Sequence, residues 1–159
     1  MTSTTLPALL VSDPAPLDLQ DTDVVWLSQG GVDVAMTGAQ IKAGVLAGRP
    51  HDIHGQMPGV PAANTKWVYP MNRASKLAAA LPNSHAGAQV AATAATVFTI
   101  YKGVTSIGTI NFAIGATTAT FTFTTLTSFA AGDLLTIQAP ATPDATLAGF
   151  YFNLASTLT

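Results

Sequence analysis

The chain has 159 residues, 9% of them charged and 48% hydrophobic, with a formal net charge of -2; ordinary soluble domains carry about 25% charged residues. There is no basic face to meet nucleic acid. No apolar run approaches the roughly 18 residues of a membrane span, so neither nucleic acid nor membrane is expected as a partner. Cysteine and glutamate are both absent, which removes thiol nucleophiles, thiolate metal sites and disulfides and leaves only aspartates for any paired-carboxylate chemistry.

The first 19 residues hold Pro7, Pro14 and Pro16. Proline fixes φ and disfavours helix in the residue before it, so this arm reads as extended. It lacks a basic n-region and a long apolar run, so it is not expected to be a secretion signal. Two β-prone runs follow, residues 24–29 and 32–36, around Gly30-Gly31, the pattern of a hairpin. Thr37 is placed to cap a helix over residues 38–47, with Gly48 as its stop. An arm, hairpin and short helix over residues 1–48 cannot bury a core alone. This segment therefore reads as an anchor that docks on a larger structure, with Trp26, Gly30 and Gly31 at its centre.

Residues 49–65 contain Pro50, Pro58 and Pro61 with Gly55 and Gly59 and read as a Pro/Gly-rich linker. From residue 66 onward strand signals repeat. Residues 96–102 alternate, with Phe98 and Ile100 on one face; strands are also predicted over 106–114, 118–125, 134–139 and 149–156. Short alternating strands with turns every 8–12 residues indicate a mainly β fold, an antiparallel β-sandwich or jelly roll over residues 66–159. Residues 73–81 (RASKLAAAL) have helical propensity.

From residue 77 the chain resembles a recurrent C-terminal β-domain of tailed-bacteriophage tail and fibre proteins. The residues that carry the likeness are 90–100 (VAATAATVFTI), 108–113 (GTINFA), 119–121 (ATF), 127–136 (TSFAAGDLLT) and 139–148 (APATPDATLA). Lys102-Gly103-Val104 departs from it, lacking the asparagine usual in that turn. The segment VVWLSQGGVDVAMTGAQIKA also resembles short units of phage virion proteins. The resemblance implies a strand rather than a helix over residues 69–77. It implies a virion structural protein assembled in the host cytoplasm: a fibre, spike or head-decoration (cement) subunit. Implied partners are its own copies, by analogy a homotrimer, and other capsid, neck or tail proteins. No enzymatic activity and no cofactor are expected.

The residues of the most specific block have structural readings. Gly132 permits a positive φ at a turn and Asp133 can bond the local backbone. Pro140 and Pro143 stop a strand, and Asp144 can cap the turn that follows.

Candidate chemistry is sparse. His51 and His54 are the weak candidates for metal ligands, and the Gly/Pro-rich segment offers no helix to fix their spacing. Trp26 and Trp67 read as packing residues, while Tyr69 and Tyr151 read as either packing or sugar-stacking groups. The competing function is a receptor-recognition module for host-surface glycan, using loops 103–106, 115–118 and 126–132. These loops are poor in the charged and amide groups that orient a sugar.

Overall fold

The computed structural model describes residues 20, 22–29, 32–46 and 48–159. The N-terminal arm with its three prolines, Gly30 and Gly31 lie outside the described residues. The chain forms two compact units, Met1–Val45 and Leu46–Thr159.

In the first unit, β1 (Val24–Gln29) pairs antiparallel with β2 (Val32–Thr37), and α1 (Gly38–Leu46) follows directly. The helix starts where predicted, and its cap is reciprocal. The Gln40 amide N–H donates to Thr37 Oγ1 at 3.2 Å, and the Thr37 N–H donates to Gln40 Oε1 at 2.8 Å. This capping box satisfies two amides near the start of the helix. In the single chain Trp26 is 66% exposed, and Val24, two residues before it in β1, is 55% exposed.

The second unit is mainly β and antiparallel throughout. Its larger sheet has the order β4-β11-β7-β8-β9, built from β4 (Lys66–Pro70), β7 (Thr96–Lys102), β8 (Thr105–Phe112), β9 (Thr120–Thr122) and β11 (Leu134–Gln138). The facing layer centres on two strands in line, β12 (Phe150–Leu154) and β13 (Ser156–Leu158), separated only by Ala155. Strand β3 (Ile53–Met57) runs along one side of β12. On the other side lie β6 (His85–Gly87) beside β12 and β5 (Ser75–Leu77) beside β13, with β10 (Thr127–Phe129) outermost.

The layers meet through rings. Phe98 of β7 stacks on Phe150 of β12 with centroids 4.2 Å apart, and Phe112 of β8 meets Phe150 edge-on at 5.9 Å. These side chains are fully buried with Ile100, Ile110, Leu135 and Ile137, which is the face-to-face packing of a β-sandwich. The alternation predicted for residues 96–102 is present: Phe98 and Ile100 point inward, Val97 outward.

Residues 49–65 correct the expectation of a linker. Ile53 and Met57 are buried in the core, and β3 pairs with β12 along its whole length. Upstream, His51 N donates to Ser156 O, Leu158 N to Arg49 O and Gly48 N to Leu158 O. The sandwich therefore begins at about residue 46 rather than 66, because the strand needs Ile53 and Met57 to cover one flank of β12. Residues 73–81 form no helix: β5 takes 75–77 and a turn follows.

Candidate functional site

The sequence candidates among the described residues fall at separate places. His51 and His54 do not converge. In an extended segment residues three apart face opposite ways. His51 points inward, its Nε2 3.5 Å from the Tyr69 hydroxyl, while His54 is exposed on the outer face. Among the described residues no group of three metal-ligating side chains comes together. No helix there is long and apolar enough to cross a membrane. Trp67 packs edge-on to Phe152 at 4.7 Å and stacks on Tyr69 at 5.7 Å, so these two aromatics close one side of the sandwich.

Gly132 turns the chain at φ 92°. The Asp133 carboxylate accepts from Ala130 N at 2.9 Å and lies 3.0 Å from Lys102 Nζ. The Ala130 amide, and then Lys102, hold this carboxyl below its ordinary pKa. Pro140 and Pro143 follow β11, and Pro140 O accepts from Asn64 N.

Asp144 ties two distant loops together. It accepts from Thr146 Oγ1 at 2.6 Å, Thr146 N at 2.8 Å and Leu147 N at 2.9 Å within its own turn. Across the fold it accepts from Thr93 Oγ1 and Ala94 N, both at 2.8 Å, and Thr93 N at 3.1 Å. The Thr146 hydroxyl, foremost among these donors, holds its carboxyl far below the usual range. A carboxylate so saturated has no lone pair left for chemistry, and its role is structural.

Two surfaces stand apart from these locks. The first is the outer face of the five-stranded sheet. Register places Lys66, Gln138, Thr99, Thr109 and Thr122 in one row, with Val97, Asn111 and Thr120 in the next. Val68 and Val97 are 49% and 41% exposed. Lys66 is the one charged residue that the strands place on this face.

The second is the outer face of the opposite layer. His54, Asn153 and His85 are direct neighbours across β3, β12 and β6, and Gln56, Tyr151 and Gly87 form the adjacent row. The hydroxyl end of Tyr151 lies over Gly87: a Cβ at Gly87 would sit 2.5 Å from its hydroxyl and 2.7 Å from Cζ. The Asn153 carboxamide oxygen is buried and accepts no hydrogen bond, a shortfall worth about 1–3 kcal/mol.

Beyond Ala155 the same face opens into a cleft of about 340 Å³, lined in part by Asp52, Lys76, Asn83 and Thr157. It exists because residues 78–84 leave the sheet between β5 and β6, where the only tie at Ala155 N is the Ser84 hydroxyl at 2.9 Å. Ala80, Leu81 and Asn83 all take positive φ in this detour. Such conformations are rare for residues with a Cβ and collect at functional sites.

Of this second surface the sequence marks His54 as a weak metal candidate and Tyr151 as a packing or stacking group. Its members come from three separate stretches joined solely by strand register. Comparison with protein-family models, with curated proteins and with solved structures finds no match to this chain.

Proposed function

We propose that this chain is a structural subunit of a bacteriophage particle. Its first unit anchors it, and the outer face of its five-stranded sheet packs against sister copies. The observation that carries the assembly reading is the chemistry of that face. Five adjacent strands present threonine, valine, asparagine and glutamine with Lys66 as the lone charge. Burying such a face strips water from almost no ionic groups, and the cores of protein interfaces are depleted of charge for that reason. Closed cyclic assembly is the common way for identical copies to satisfy one another, and a homotrimer is the form proposed. The phage setting rests on the sequence resemblance of residues 77–159 and on the capped hairpin-helix unit, too small to stand alone.

Light scattering on the full chain tests the assembly. The expected mass is a small multiple of the 16.2 kDa protomer, and Val97→Lys returns it to the protomer mass. A monodisperse protomer at tens of micromolar refutes the reading. The anchor is tested separately: a chain lacking residues 1–45 keeps its fold and oligomer but no longer co-sediments with particles.

A further inference from the structure

The layer opposite the proposed assembly face carries a different chemistry. We infer that its outer surface is a binding site for a neutral pyranose oligosaccharide, with Tyr151 as stacking platform and the Asp52–Lys76 cleft as the neighbouring subsite. This is not the loop surface to which sequence reading would assign a glycan. It stands whether or not the chain assembles.

The platform is the first argument. Tyr151 is 40% exposed, and the hydroxyl end of its ring reaches over Gly87, which leaves room for it by having no side chain. The apolar C–H face of a pyranose packs on such a ring, as aromatic side chains combine an apolar body with a polar edge. His85, with its centroid 5.9 Å from that of Tyr151, extends the surface.

The polar groups around the ring are the second argument. Gln56, the direct cross-strand neighbour of Tyr151, is exposed, and its side chain makes no hydrogen bond within the protein. His54 is likewise open, and the Asn153 carboxamide oxygen between the two imidazoles lacks a donor. Amides and imidazoles both donate and accept, which suits hydroxyls that do the same.

Charge selects the class of sugar. The cleft one row further along holds one carboxylate, Asp52, and one ammonium, Lys76, which form no ion pair with each other. Lys76 points outward between buried Ser75 and Leu77 of β5, and Asp52 is exposed just before β3. With one charge of each sign the site has no preference for an anionic glycan. Each group has free hydrogen-bonding capacity for hydroxyls.

The test is a fluorescently labelled full chain on a printed array of pyranose oligosaccharides. Calorimetry follows with the strongest neutral hit and with maltohexaose, cellohexaose and chitohexaose. A neutral glycan is expected to bind, at least tenfold more weakly to Tyr151→Ala and several-fold more weakly to Gln56→Ala. Lys66→Ala, on the opposite layer, leaves binding unchanged. Melting curves confirm that each variant is folded; should Tyr151→Ala fail to fold, Tyr151→Ile keeps the strand but removes the ring. Silence across the array and all three hexaoses overturns the inference. So does binding that survives loss of the Tyr151 ring, or a preference confined to acidic sugars.

Discussion

Phe150→Ala removes the side chain on which the two layers meet. Phe150 is fully buried, stacked on Phe98 at 4.2 Å, edge-on to Phe112 at 5.9 Å and tilted against Phe152 at 5.7 Å. Truncating a buried phenylalanine costs about 3–5 kcal/mol. The upper half of that range applies here, because each aromatic pair adds about 0.5–1.5 kcal/mol beyond area burial. The three neighbouring rings are also held on hydrogen-bonded strands, so the cavity has little room to collapse. Against a total stability of about 5–15 kcal/mol, this loss is about a quarter or more of what holds the sandwich. At about 4 °C per kcal/mol for a domain of this size, the melting temperature falls by roughly 16–20 °C. Urea unfolding followed by circular dichroism is the assay, since fluorescence would mix Trp67 with Trp26 of the other unit. The midpoint should shift with the slope unchanged. Val104→Ala is the control: Val104 is 97% exposed and should move stability by no more than about 0.5 kcal/mol. A loss below about 2 kcal/mol for Phe150→Ala would refute the placement of the inter-layer contact at this ring.

Other outcomes follow from the turns and loop locks. Gly132→Ala places a Cβ at φ 92° and should cost about 1–3 kcal/mol in the same urea titration. Asp133 and Asp144 fold with carboxyls held below their ordinary pKa. The unfolded chain therefore takes up their protons first as pH drops. Their stabilisation is complete above the unfolded value of about 3.9 and is lost progressively below it. Thermal melts from pH 6 down to pH 2 should show this loss in the wild type and a visibly shallower acid limb in Asp144→Asn; superimposable slopes would contradict the loop-tying role. A fragment spanning residues 46–159 should melt cooperatively with an antiparallel β spectrum, whereas one starting at residue 66 should not fold, because it lacks β3. Equal folding of both fragments would count against the edge pairing of residues 48–57.

The long strands were legible because burial on one face writes a period of two over many residues. Phe98 and Ile100 in β7, and Ile110 and Phe112 in β8, show it plainly. The short strands were not. β5, β6 and β10 are three residues each, SKL, HAG and TSF, too brief to display a period and extended only because a neighbouring strand completes their hydrogen bonds. Strand β3, with the sequence IHGQM, was hidden by the prolines around it, which mark its ends rather than its absence. Asp144 could be read as a local cap from the Pro143-Asp144-Ala145 step, but nothing near it in sequence announces Thr93 as its cross-loop partner. The same limit applies to the saccharide face: His54, His85 and Asn153 are ordinary polar residues until register sets them side by side.

The strands at the middle of the second layer, β12 and β13, are synthesised after every strand they pair with. Until β12 and β13 emerge, residues 53–57 lack their strand partner, residues 75–77 and 85–87 are paired on one side only, and Phe98 and Phe112 lack Phe150. A nascent chain of this design waits with an open, oily sheet face exposed, then closes late through distant pairings, which are slow to form. Its yield in a cell should thus be governed by what happens in that interval, and agents that shelter unfinished chains should raise it more than added stability does.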